Sequence, residues 1–386
     1  MSIEKQHILL TGGRAPVTLD LARQFHSLGH KVYVADSVPM QLTSLSNAVC
    51  KSFVITSPVA DYNGFIQDLL TIIHDYKIHL LIPTCEEVFY IGKGKAQLEA
   101  LCHVFCSDLH ILSQLHEKFS FTELVRSKGL KAPETLLAKT SSEIISAIKQ
   151  LGGEAVLKPV FSRFASQVYF VNQNNLKHVI HLINVSEQYP YVVQERIIGK
   201  SFCSYTVLKD GMICAHSHYP VYFTAGKGAS ITFEYVEHKG IEQWISTFFS
   251  GTNLTGQFAF DFIETENGVL YPLECNPRAT SGVHLFKGLP LPKAFLNSSC
   301  SVLKPKKSTK VMLILAMLTM GWSGTHFLKW CKTFLNSKDI IWSSKDMKPF
   351  FHQFYVYYSF YRLAKKNHIS PIQATTIDIE WNGDKQ

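Results

Sequence analysis

FAFDFIETENGVLYPLECNPRATS, residues 258–281, decides how the rest of the chain is read. Two apolar runs, Phe258–Ile263 and Val269–Leu273, flank Glu264-Thr265-Glu266-Asn267-Gly268. That pattern predicts a β-hairpin, with Asn-Gly supplying residues that tolerate a positive φ in the turn. Three polar residues are out of place for a core. Asp261 interrupts the first strand, and Glu274 and Asn276 end the second. Antiparallel pairing brings them side by side, and two carboxylates so placed raise each other's pKa unless a cation joins them. A hard divalent ion such as Mg2+, or Mn2+, takes oxygen ligands of this kind and keeps positions for phosphate oxygens and water. Pro277 stops the strand, and Arg278 adds a planar cationic fork suited to phosphate.

At Glu274-Cys275-Asn276-Pro277-Arg278 the chain resembles the ATP-grasp superfamily, in the branch of the carbamoyl-phosphate synthase large chain, biotin carboxylase and related carboxylate–amine ligases. A hairpin with surface acids is the blander alternative, and Asp261 upstream with Arg278 downstream weighs against it. The resemblance implies an α/β fold. A Rossmann-like domain over residues 1–112 is expected to precede an ATP-grasp domain over 113–302, split into a small part at about 130–195 and a large part at about 196–302. A C-terminal accessory region would occupy 303–386.

Composition agrees with a globular chain. Its 386 residues can build two or three cores, and 46% hydrophobic with 18% charged content is unlike a disordered protein. The formal charge of +8 points to anionic partners, and a nucleotide's phosphates suffice without nucleic acid, for which no motif is present. Nine scattered cysteines without a C-x-x-C pair predict a reducing, cytoplasmic setting. The N-terminus does not read as a secretory signal. The longest apolar run, Val311–Met320, is too short to span a bilayer and reads as a buried helix behind a basic linker.

In chain order, His7–Thr11, Pro16–Leu28 and Lys31–Ala35 form a β-turn-α-β pattern with Gly12-Gly13 at its turn and Asp36 at its end. This invites a dinucleotide reading with Asp36 on a ribose, but Arg14-Ala15-Pro16 stands where further glycines belong. The Gly-Gly-Arg turn would hold an anionic substrate group or leave Arg14 solvated. Strand Leu80–Ile82 ends at Glu86 and Glu87, one of which would meet a substrate amine while the other begins a helix. Leu115–Lys128 reads as one helix, and Ser141–Leu151 as another capped by Ser141 or Ser142.

The resemblance assigns further roles. Lys118 matches a cation that touches ATP phosphates from an early helix turn. Lys158, ending the strand Ala155–Pro159, matches the lysine on the α- and β-phosphates. A lysine there is costly unless its ammonium meets anions. The following loop offers Ser162, Arg163 and Ser166 where relatives carry a glycine-rich flap. Gln194, Glu195 and Ile197 occupy the adenine-binding hinge, and Lys200-Ser201 replaces the usual ribose glutamate. Lys227, on a glycine-bearing turn, matches a γ-phosphate or substrate contact.

His216 and His218 alternate on one strand and, without a third ligand nearby, read as packed or solvated side chains. The tail reads as helices, then a short strand docked through Ile377, Ile379 and Trp381. The expected activity is ATP-dependent joining of a small carboxylate to an amine, with no stable membrane insertion and with a homodimer left open. A nucleotide-binding regulator and an NAD(P)-dependent oxidoreductase are the competing classes.

Overall fold

A parallel sheet of five strands opens the chain, in the spatial order Lys51–Val54, Lys31–Asp36, His7–Thr11, Leu80–Ile82, His103–Val104. Alternation along the central strand sends Ile8 and Leu10 to one face, where Leu21 and Phe25 of helix Pro16–Ser27 cover them. Leu9 points to the other face, against Phe65 and Leu69 of helix Tyr62–Asp75. The computed structural model describes residues 5–161, 167–226, 228–297, 301–322 and 327–383. Ser162, Arg163, Ser166 and Lys227 lie outside them.

Two antiparallel sheets follow. The smaller runs Thr135–Ala138, Tyr191–Gln194, Ala155–Pro159, Tyr169–Val171, with helices Ser141–Gln150 and Leu176–Leu182 on its apolar side. The larger runs Met212–Pro220, Lys200–Lys209, Gly256–Glu264, Leu270–Asn276. On it Phe258, Phe260 and Phe262 are at most 1% exposed and meet Trp244, Phe248 and Phe249 of helix Lys239–Phe249. Burying each such ring contributes roughly 1.5–3 kcal/mol. The intervening Ala259 and Asp261 therefore face the opposite way.

Several local expectations are corrected. Leu115–Lys128 is two helices, Leu109–His116 and Lys118–Ser127. The break falls at Glu117, whose carboxylate accepts from the N–H groups of Phe119 and Ser120 and so starts the second helix. Thr140, not either serine, caps Ser141–Gln150. Val311–Met320 divides into a strand, Lys310–Met312, and a helix, Ile314–Met320, on which only Met317 is buried. The strand is taken up by a three-stranded sheet with Thr232–Glu234 and Lys338–Asp339.

The last described segment is not a strand. It is an irregular strap laid across the carboxyl ends of the parallel strands. Asp378 accepts from Arg14 Nη1 at 2.6 Å and Nη2 at 2.7 Å, and from Ser37 Oγ at 2.5 Å. Its carbonyl accepts from Ser57, and the Tyr90 hydroxyl donates to the Glu380 carbonyl. Trp381, 3% exposed, stacks on Phe89 with centroids 5.7 Å apart. Among the described residues no helix is long and apolar enough to cross a membrane.

Anchoring by one buried indole sets an expected outcome. Trp381→Ala should lower unfolding stability by about 3 kcal/mol in urea titrations, because a large aromatic leaves a cavity. A change below about 1 kcal/mol would show that the strap is not packed on Phe89.

Candidate active site

The hairpin aligns Asp261 directly opposite Glu274, and Ala259 opposite Asn276. A bulge between Asp261 and Phe262 bends the strand there. On the other side Asp261 pairs with Cys203, whose thiol hydrogen-bonds its carboxyl. Burial first, and the Glu274 charge second, push the Asp261 carboxyl up to about 7. Burial alone would raise Glu274 too, but Lys118 and Lys158 outweigh it and hold that carboxyl below its ordinary value. Two acids placed alike thus separate into one that keeps its proton to neutrality and one that is ionised.

Both lysines are almost fully enclosed. Lys118, 2% exposed, sits at the first position of its helix with Nζ 3.7 Å from Glu274 Oε2. Its backbone N–H donates to the Val160 carbonyl, which ties that helix to the strand carrying Lys158. Lys158, 5% exposed, donates to the Leu273 carbonyl at 3.2 Å. Burial, then the neighbouring Lys118 charge, bring its ammonium down to about 8. The smaller sheet, the larger sheet and the connecting helix therefore each bring a charged group to one place.

Arg278 bridges this cluster to the parallel sheet. Nη2 donates to Asn276 Oδ1 at 3.2 Å and lies 3.8 Å from Glu86 Oε1. Of the two candidate glutamates, Glu87 is the structural one. It accepts from Thr11 Oγ1 and the N–H groups of Thr84 and Cys85. Glu86, 1% exposed, is the one that reaches Arg278. At the hinge, Gln194 is paired on both sides in its sheet and its amide donates to Thr135 Oγ1. Glu195 N–H is bonded to the Glu134 carbonyl, whereas among the described residues the Ile197 N–H has no partner.

The Gly-Gly-Arg turn is neither an anion site nor solvated. Arg14 is 6% exposed, with its guanidinium between Asp36 and Asp378. Asp36 is thereby occupied, which removes the basis of the ribose reading. The two glycines also have protein reasons. A Cβ on Gly12, at φ +74°, would meet Thr84 Oγ1 at 2.6 Å, and one on Gly13 would meet Gln41 Oε1 at 2.5 Å. His216 and His218 are both buried, joined Nε2 to Nδ1 at 3.1 Å, and burial lowers both pKa values.

Among the described residues no group of three or more His, Cys, Asp or Glu side chains could hold a metal. The oxygen donors at the hairpin end are instead two carboxylates and the Asn276 side-chain amide, whose N–H donates to Glu274 at 3.4 Å. One proton held between paired acids is what a divalent ion would displace, so these residues fit such an ion. Sequence reasoning missed Cys203, although period-two alternation places it on the strand adjoining Asp261. It also missed Val356, Tyr357 and Phe360, which with the docking residue Ile379 line a cavity beside Arg278.

No protein-family profile matches the sequence. Solved structures do resemble the chain. N5-carboxyaminoimidazole synthetase from Staphylococcus aureus, complexed with ADP, aligns with a TM-score of 0.64 at 15% identity over 82% of this chain and 84% of its own. The synthase from Aspergillus clavatus, in complex with ADP and 5-aminoimidazole ribonucleotide, gives 0.59 at 13% identity over 78% and 80%. An L-amino acid ligase from Bacillus licheniformis gives 0.57 at 13% over 72% and 68%. The chain is built on the α/β fold of the ATP-grasp ligases.

Proposed function

We propose that this chain is an ATP-dependent ligase that activates a carboxylate as an acylphosphate and passes the acyl group to an amine, releasing ADP and phosphate. One observation carries the reading: two enclosed lysines converge on a paired-carboxylate hairpin end. Without a ligand, each half of that cluster is electrostatically unfavourable. Burial first, and like charge second, depress Lys158 and raise Asp261. A polyphosphate beside the lysines and a divalent cation beside the carboxylates would relieve both at once. The ADP and ATP complexes of the structural neighbours agree with a nucleotide here.

In this reading Lys118 and Lys158 hold phosphate oxygens, and the hinge at Gln194, Glu195 and Ile197 receives the adenine. Asp261, Glu274 and Asn276 would hold Mg2+ or Mn2+, which when bound neutralises developing charge on the phosphates. Arg278, fixed by Asn276, is aimed to stabilise charge on the transferred phosphoryl group. Sequence adds Ser162, Arg163 and Lys227 to the phosphate side. The carboxylate oxygen attacks the γ-phosphorus and the bond to the ADP oxygen breaks. The amine then attacks the acyl carbon, and phosphate leaves. Positioning and charge neutralisation supply the rate, not covalent participation of the protein.

The paired acids give a pH signature. A carboxyl whose folded pKa is raised contributes stability in full below its unfolded pKa of about 3.9 and loses it as pH rises through the folded value near 7. Asp261→Asn should therefore melt relatively higher than the wild type at pH 8 than at pH 5.5. Millimolar Mn2+ should raise the wild-type melting temperature more at pH 8 than at pH 5.5, and the variant's by little at either. A Mn2+ effect independent of pH, or retained in the variant, would overturn the metal assignment.

The nucleotide product tests the reaction. Chromatography should find ADP and phosphate, and hydroxylamine should trap the acylphosphate as a hydroxamate. Lys158→Met should weaken ATP at least tenfold while leaving adenosine within about twofold, since a charge-assisted phosphate contact is lost. AMP as product would sink the mechanism, and ATP binding without turnover on any carboxylate would make the chain a nucleotide-binding regulator.

A further inference from the structure

Helix Lys348–Asn367 carries two apolar faces where a surface helix has one. Its buried face holds Gln353, Val356, Phe360 and Ala364, spaced three and four apart. On another side Phe351, Phe354, Tyr355, Tyr358 and Tyr361 recur at the same helical spacing, and each is between 45 and 64% exposed. Trp342, itself exposed, extends this stripe past the start of the helix, with its ring 6.3 Å from that of Phe351. Five half-exposed rings leave roughly 500 Å² of aromatic surface outside, near the top of what a monomer's largest patch reaches.

Charge selects what covers it. No Asp or Glu lies between Asp346 and Asp378, a stretch that holds Lys348, Arg362, Lys365 and Lys366. These cations stand at the two ends of the stripe, and residues 349–361, about 20 Å of helix, hold neither Lys nor Arg. Lys365 Nζ sits 4.8 Å from the Tyr361 ring, so its stem continues the aromatic surface and its charge stays outside. A second copy packed stripe to stripe sets cation against cation in either direction. Antiparallel helices bring Lys348 to the Arg362–Lys366 end, and parallel ones bring each end to itself. A nucleic acid needs cations that track its backbone, which the middle of the stripe does not offer. A lipid surface with anionic headgroups matches both features. The rings settle between headgroups and acyl chains, and the terminal cations meet lipid phosphates.

We propose that this stripe docks the chain peripherally on an anionic lipid surface, with helix Lys348–Asn367 lying flat in the headgroup layer. The proposal does not rest on the ligase reading. It concerns the outer face of the helix, whereas the inner face walls the cavity beside Arg278.

Co-sedimentation of the full chain with vesicles of phosphatidylcholine containing about one third phosphatidylserine tests it. Binding should be at least tenfold tighter than to pure phosphatidylcholine vesicles, and should weaken at least fivefold between about 0.05 M and 0.5 M NaCl. Phe354→Ser combined with Tyr358→Ser leaves the net charge unchanged and should weaken binding at least tenfold. Arg362→Gln combined with Lys365→Gln should flatten the salt dependence. All four side chains are exposed, so an unchanged melting temperature serves as the folding check. In the unaltered chain, lipids brominated in their acyl chains should quench tryptophan fluorescence more than they do in Trp342→Phe, which reads insertion of the stripe itself. Equal binding to neutral and anionic vesicles, full binding by the folded Phe354→Ser/Tyr358→Ser chain, or quenching unchanged in Trp342→Phe would each overturn the proposal. A dimer in sedimentation velocity that the same pair abolishes would overturn it in favour of a second copy.

Discussion

Two buried ammonium groups and two partly exposed carboxyl groups meet where three parts of the chain converge. Lys118 comes from the connecting helix, Lys158 from the smaller sheet, and Asp261 and Glu274 from the hairpin of the larger one. Burying a charge is expensive, and none of these elements could carry its own alone. Their mutual pairing makes the arrangement tolerable, with Glu274 ionised between the lysines and Asp261 holding its proton near neutrality. The cluster therefore acts as a constraint on how the sheets are set against each other. Burial nonetheless leaves Lys158 and Asp261 each shifted toward its neutral form.

Much of this was legible because chemistry interrupted regular patterns. Phe258, Phe260 and Phe262 alternate as a buried face must, so Asp261 between them had to point elsewhere. Lys158 at the end of an apolar strand stood out for the same reason. What could not be read depended on distant partners. Glu117 looks like any helical glutamate until its carboxylate is seen capping the next helix. Arg14 and Asp36 resemble a dinucleotide site, and the partner that redefines them, Asp378, lies 364 residues along the chain. Glu86 and Glu87 are adjacent in sequence, and only the Thr11 and Thr84 hydrogen bonds tell the structural one from the other.

Net charge is likewise misplaced by composition alone. Residues 303–386 hold 13 Lys and Arg against 5 Asp and Glu, whereas residues 1–302 hold 25 of each. The whole excess of +8 belongs to the C-terminal region, so it does not report the lysine and carboxylate cluster, which lies in the balanced part of the chain. Part of the excess ties that region down. Lys304, Lys307 and Lys310 lie within 3.0 Å of Glu242, Glu237 and Glu234. Such pairs are largely exposed and individually weak, about 0–1 kcal/mol each, so they align the linker more than they stabilise it.

The strap also fills space at the end of the parallel sheet. Open parallel sheets receive ligands at the carboxyl ends of their strands, and here Asp378 and Ile379 occupy part of that crevice from within the chain. Arg14, the residue best placed there to recognise an anion, is neutralised by two carboxylates of its own molecule. Beyond the glycine turn of the first strand, the cavity is lined by Arg278, Glu86 and by Val356, Tyr357 and Phe360 of helix Lys348–Asn367. The cavity at this crevice is therefore walled in part by a segment remote in sequence from the hairpin and the lysine-bearing elements.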